Sequence, residues 1–334
     1  MPIRLSTHSK KGQDCAVDNY VDCSSKMTLA SHTKTDGAAA ARYAAGLLGI
    51  ATCAETTATT MAEDAGKVDV KLSFRHIALT NKLITAHAQV KAGPSYRRTS
   101  DADSITLAID RKTLEALSGT GMPGLVIWVP PPPMDRLYWY VTDPRTPLKT
   151  PTKIPKTQYL RPSLRYDLTR LYDYASWSYR TTSQTIGPLS TDVLPKARSA
   201  YKALKSKQWS NPLVGCLQVT RLAWRHITRR SKSEARRTLS LRAVPYLKAF
   251  LGKSPDRYTC NFVSLEVNGS VTKESRYLMC WYRQAFTIDG ESHSLLVRIR
   301  EEITYPTEWT KRPLSTADIT QVATLAAWWC KKDK

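Results

Sequence analysis

At 334 residues, with 42% hydrophobic and 23% charged side chains, the chain has the composition of a globular protein and the length of two ordinary domains. No apolar run approaches the ~18 residues of a membrane helix. The polar start, Met1 to Asp22, lacks the apolar stretch of a secretory signal, so a cytoplasmic protein with no membrane partner is expected. Seven cysteines without a C-x-x-C pair argue against a zinc site or a disulfide framework. The net charge of +22 is uneven, about +4 over residues 1–150 and +18 over 151–334, which points to a polyanionic partner, nucleic acid, for the second half.

Residues 1–35 read as a polar peripheral segment. DGAAAARYAAGLLG, residues 36–49, predicts a helix capped by Asp36 and stopped by Gly49. Strands are expected at Lys67–Phe74, Leu83–Lys91 and Ser104–Ile109, from their alternation, with RHIALTNK as the connection between the first two. A short helix after Asp110 reaches Gly119. Strands at Gly124–Val129 and Leu137–Val141 follow, and the set suits a mixed α/β sandwich. Five prolines in residues 144–162 mark a linker or extended surface segment. Beyond it, helices are expected at Leu164–Tyr179, Pro195–Lys207, Leu213–Arg230 and Ser233–Leu251. Three strands, Tyr258–Val267, Tyr277–Phe286 and Ser294–Tyr305, lead to a last helix, Thr316–Cys330.

One constellation carries chemistry. Asp69 lies in the strand KVDVKLSF, and Gln89 and Lys91 lie two apart in the next strand, AQVKAG. Residues i and i+2 of a strand share a face, so antiparallel pairing brings Asp69 beside Gln89 and Lys91. Asp69, the Gln89 side-chain oxygen and the Val90 carbonyl are an oxygen donor set suited to Mg²⁺ or Mn²⁺, which retains several waters. Lys91 supplies a point charge for a scissile phosphate. Strands disfavour Asp, Lys and Gly, yet all three cluster here. Histidines 76 and 87 flank the site in sequence and read as structural, hydrogen-bonded side chains, because the six histidines show no ligand spacing.

The same residues resemble the PD-(D/E)xK nuclease superfamily, in its Q-x-K, Mrr-like branch, which includes an N-terminal domain common in bacterial defence-type proteins. EDAGKVDVKL is similar to that domain's D-x-G-(I/V)-D element with one extra residue, Lys67, and HAQVKAG to its strand ending in Q-V-K. LVIWVPPPPMDRLYWYV resembles its closing hairpin, with Pro123, Val126, Tyr138 and Trp139 in the corresponding places. The likeness covers about residues 36–143. It implies a restriction-endonuclease-like mixed sheet flanked by helices, followed by a basic α+β C-terminal domain over 163–334. It further implies Mg²⁺-dependent hydrolysis of DNA, with foreign-DNA defence as one setting. A nuclease that cuts both strands of double-stranded DNA often works as a homodimer, since two opposed sites are needed, and an unregulated nuclease would be toxic, so an activating trigger or partner is expected. One departure stands out: the family's acid on the first helix is missing, leaving Asp36 or Glu55 as substitutes. A protein that keeps the fold and binds without cutting, or a structural nucleic-acid-binding protein, is the alternative.

The densest basic run spans Arg221, Arg225, Arg229, Arg230, Lys232, Arg236 and Arg237. Arg221, Arg225 and Arg229 are spaced by four and would share one helix face. Two helices joined by a polar turn suggest a helix-turn-helix variant or, with less commitment, a phosphate-binding surface. Aromatic residues are plentiful in this half, and the sequence assigns base stacking to none of them.

Overall fold

The computed structural model describes residues 37–59, 68–79, 81–119, 124–133, 136–142, 152–176, 183–187, 192–229 and 233–333. It is mixed α/β. No helix among these residues is long and apolar enough to cross a membrane.

The first half is built on a five-stranded sheet. Helix α1 (Gly37–Thr52) precedes β1 (Glu55–Ala58), β2 (Val70–Arg75) and β3 (Leu83–Ala92), which pair as an antiparallel meander. Next come β4 (Arg97–Ser100), β5 (Ser104–Leu107) and helix α2 (Arg111–Gly119). The chain then returns as β6 (Gly124–Val129), parallel to β3, and closes with β7 (Tyr138–Thr142), antiparallel to β6. The strand order is β1-β2-β3-β6-β7. Alternation sorts the two faces. Val70, Leu72, Ile84, Ala86 and Ala88 pack with Ala44 and Leu48 of α1, whose buried residues recur every three or four positions as helical geometry requires. On the opposite face Val126 and Trp128 pack with Leu114 and Leu117 of α2.

Two expectations change here. Helix α1 does not stop at Gly49; it runs to Thr52, and Cys53 at φ 50° makes the turn while the Gly49 carbonyl accepts the closing bond from Ala54 at 3.0 Å. The proline-rich stretch is not wholly a linker. Residues 152–155 form β8 (Thr152–Pro155), antiparallel to β5 in a three-stranded sheet with β4. Pro155 ends that strand, where a missing N–H is tolerated.

Helix α3 (Leu164–Ser176) follows, then β9 (Gln184–Ile186), α4 (Val193–Lys205), β10 (Trp209–Asn211), β11 (Gly215–Gln218), α5 (Arg221–Ile227), α6 (Glu234–Ala243) and α7 (Lys248–Leu251). Four long strands complete the chain: β12 (Arg257–Asn268), β13 (Val271–Ile288), β14 (Glu291–Pro306) and β15 (Thr320–Lys332). The second sheet has the order β10-β11-β15-β14-β13-β12, with β9 pairing β13. Its core joins Leu278, Cys280, Val297, Leu325 and Trp328 to residues of α4, α5 and α6.

The helix expected at Leu213–Arg230 is largely strand and turn. Gly215 at φ 66° opens β11, and helix begins only at Arg221, where the Thr220 hydroxyl accepts the Leu222 N–H. The helix expected at Thr316–Cys330 is a single 3₁₀ turn and then β15. Ser315 and Asp318 close a capping box, after which the chain extends as an interior strand. Four consecutive buried residues, Leu325 to Trp328, erase the alternation that would have marked it as a strand.

Helix α3 is shared between the halves. Leu164 and Leu168 belong to the first core. On the other side, Asp167 and Arg170 enter a buried ionic cluster with Arg161, Glu274, Arg276 and Glu301. Arg161 Nε lies 3.1 Å from Glu274 Oε2, Arg276 binds Asp167 and Glu301 at 2.8 Å each, and Arg170 grips Glu301. Three guanidiniums face three carboxylates, the condition under which burying such charges is tolerable.

Candidate nuclease-type site

Asp69 and Gln89 meet because the β2–β3 register pairs Val70 with Ala88. One step further, their side chains fall on the face opposite α1. Gln89 Nε2 donates to Asp69 Oδ2 at 2.5 Å, and the Val90 N–H donates to the same oxygen at 2.5 Å. Asp69 is fixed by its own backbone as well, its N–H donating to the Ala88 carbonyl at 2.9 Å. Gln89 is buried, and its Oε1 has no hydrogen-bond partner. A buried acceptor left unmatched costs about 1–3 kcal/mol, so this oxygen is a position that an electropositive ligand would relieve.

Lys91 follows on the same face. Its ammonium rests 5.4 Å from the ring centroid of Tyr96. That contact depends on Gly93, whose φ of 87° lets the chain leave β3 and turn back through the 3₁₀ segment Pro94–Tyr96. The turn is clamped by Trp128 Nε1, which donates to the Gly93 carbonyl at 3.0 Å. Asp110, read from sequence as a helix cap, is one: Thr113 N–H donates to its Oδ1 at 2.7 Å. Burial raises its pKa, but the Thr113 hydrogen bonds and the Lys91 charge outweigh that and hold the carboxyl below the usual range. Lys91 therefore sits near a second acid that motif reasoning did not place in the site.

The described donors fit a hard cation held loosely: one carboxylate, Asp69, and one unmatched amide oxygen, Gln89 Oε1, with water completing the shell, as Mg²⁺ prefers. Val90 meets Asp69 through its N–H, whereas the sequence reading gave its carbonyl the ligand role. No group of three or more His, Cys, Asp or Glu among the described residues is placed to hold a metal. Of the two substitutes for the missing helix acid, Asp36 lies outside the described residues. Glu55 pairs with Ser73, while Ala58 at the other end of β1 pairs with Val70 next to Asp69. Glu55 is thus about 13 Å along the strand from Asp69.

His76 is structural, as expected. Its Nδ1 accepts from the Ala78 and Leu79 N–H groups at 3.0 Å, which leaves Nε2 to donate to Asp173 at 2.7 Å. The five described cysteines are free. Burial pushes the Cys280 thiol up to about 12, a range with no thiolate chemistry.

In the second half, Arg221 and Arg225 are exposed on α5, Arg229 is exposed just past its end, and Arg236 is exposed on α6 with Arg237 half-buried beside it. Arg230 and Lys232 lie outside the described residues. The structure thus splits the basic run over two short helices on one edge of the second sheet, beside β15. Neither a family model, nor a curated protein, nor a solved structure matches the chain.

Proposed function

We propose that this chain is a metal-dependent nuclease acting on DNA, with its centre at Asp69, Gln89 and Lys91. The observation that carries the reading is the 2.5 Å contact between Asp69 and Gln89 across β2 and β3, with the unmatched Gln89 Oε1 beside it and Lys91 at the next position on that face. In the first sheet the order α1, β1, β2, β3, β6, with β4, β5 and α2 in the crossover between β3 and β6, an antiparallel meander and a parallel fourth strand, supports the resemblance to the PD-(D/E)xK superfamily.

Asp69 and Gln89 would hold Mg²⁺ or Mn²⁺, which supplies polarisation of the phosphodiester and a bound water of lowered pKa. Asp69 is oriented by two N–H donors on Oδ2. Lys91, steered by the Tyr96 ring, places its ammonium where negative charge develops on the phosphoryl oxygens. Trp128 and Gly93 keep that geometry from relaxing.

The test is nicking of plasmid DNA with Mg²⁺ or Mn²⁺, comparing the unchanged chain with Lys91→Ala and with an EDTA control. The expected result is cutting that needs the metal and falls at least about a hundredfold in Lys91→Ala, the scale of losing one charge-stabilising group. One observation favours the alternative of binding without cleavage: Asp69 Oδ2 is already engaged by two donors, and Glu55 stands too far along β1 to add a carboxylate. Metal-independent binding with no nicking in any sample would establish that alternative.

A further inference from the structure

We propose that the open face of the β12–β15 sheet binds single-stranded nucleic acid, with Trp281 and Trp329 stacking bases and Arg257, Arg298 and Lys331 holding the backbone. This site is separate from the one around Asp69 and does not depend on cleavage there.

The second sheet has two unlike faces. Leu278, Cys280 and Tyr282 of β13 and Leu295, Val297 and Ile299 of β14 point into the core with the helices. The alternate residues, among them Tyr277, Met279, Trp281, Arg298 and Arg300, are half-buried. Register lines them up across the strands. Arg257 pairs with Trp281, Trp281 with Leu296, and Leu296 with Trp329; the adjoining row runs Thr259, Met279, Arg298, Ala327. The result is an apolar row with a tryptophan on either side of Leu296 and one guanidinium, that of Arg257, against the Trp281 ring. Arg257 stands 5.6 Å from the Trp281 ring, and Arg298 stands 5.2 Å from the Tyr277 ring.

Charge sets which end of the face takes the ligand. Glu302 pairs with Lys273 and Arg300, which partly offsets their charge at the far end. Lys332 is tied to Glu291. Among the described residues no carboxylate pairs with Arg257, Arg298 or Lys331, and Arg298 Nε is buried with no hydrogen-bond partner. Two cavities open at this end. One, of about 390 Å³, is lined by Arg257, Trp281, Arg283, Lys331 and Asp333, whose carboxylate accepts from the Ser292 and Ser294 hydroxyls. The other, of about 880 Å³, is lined by Arg236, His226, Arg298, Trp329 and Lys331. Lys331 borders both, so they adjoin around the end of β15. The second reaches Arg236 of the basic run, which continues the positive surface onto α6.

Stacking selects a single strand. Trp281 and Trp329 lie two strands apart, about 10 Å, whereas stacked bases of a duplex are about 3.4 Å apart and hide their faces from the protein. A strand crossing this sheet must splay its bases, and aromatic platforms among cations accept such bases without regard to sequence.

The experiment measures fluorescence anisotropy of a labelled oligothymidylate with the full chain in EDTA, where binding is read independently of any cleavage at Asp69. An abasic oligomer of equal length and a duplex serve as comparisons. Binding is expected to prefer the single strand, to weaken with salt, and to fall about tenfold in each of Trp281→Leu and Trp329→Leu. The abasic oligomer should bind the unchanged chain correspondingly more weakly and ignore both substitutions. The abasic comparison needs no variant and stands even where a variant folds poorly. Equal binding of the abasic and thymidylate strands, tighter binding of the duplex, or full binding by folded tryptophan variants would overturn the proposal.

Discussion

At the scale of single residues, the contact between Asp69 and Gln89 has a testable electrostatic character. The Gln89 amide donates to a carboxylate at 2.5 Å; a carboxylate in its place would face like charge instead. In Gln89→Glu, mutual repulsion raises the pKa values of the pair above their unfolded values. Stability is then retained at acid pH and lost as pH rises through the raised folded values. The expected loss is about 1–3 kcal/mol at neutral pH in EDTA, read as a lower melting temperature, with recovery on adding Mg²⁺. No recovery with Mg²⁺ or Mn²⁺ would count against a cation at this pair. The pair was legible in the sequence because it needs only strand parity and one antiparallel turn. Asp110 was not, since its nearness to Lys91 arises from the return of the chain through β4, β5 and α2.

At the scale of elements, the packing of α2 on β6 rests on Gly124. A Cβ there would strike the Thr142 hydroxyl and come within 2.8 Å of Leu117 Cβ. Gly124→Ala should therefore push α2 or β7 aside and destabilise the protein by about 1–3 kcal/mol, measured as a lower denaturant midpoint. An unchanged midpoint would show that the contact relaxes freely. Half-buried strands with one polar face, such as β2 and β3, announce themselves by alternation. Strand β15 does not, because its middle is buried on both faces, and its alanines and flanking cap imitate a helix. That one misreading hides the open sheet face as well. Trp329 can be aligned with Leu296 and Trp281 only after β15 is known to be a strand in register with β14. The arginines of α5 and α6 were visible as a run, but the break at Thr220 that separates them from the strand before it depends on a cap and a tertiary pairing of β11 with β15.

At the scale of the whole molecule, the described residues belong to one compact unit, and the ionic cluster between α3 and β13–β14 fastens it internally. Burial alone would raise the pKa of Glu301, but Arg170 and Arg276 overcome it and hold the carboxyl below its usual range. A carboxyl with a depressed folded value adds stability above its unfolded value and surrenders it as pH falls through the folded one. Unfolding should therefore grow easier below about pH 4, the ordinary carboxylate range. Glu301→Gln should cost about 3–5 kcal/mol at neutral pH by stranding guanidinium charge and should flatten that acid dependence, both followed by denaturant titration. A variant as stable as the unchanged chain would mean that Asp167 and Glu274 suffice for all three arginines. The cluster also bears on how such a protein is inherited. Arg161, Asp167 and Arg170 come from one stretch of chain, and Glu274, Arg276 and Glu301 from another. A crossover between them that joined this first half to an unrelated second half would leave two buried cations against a single anion. Exchanging either half alone for an unrelated one should therefore destabilise the fold at this cluster.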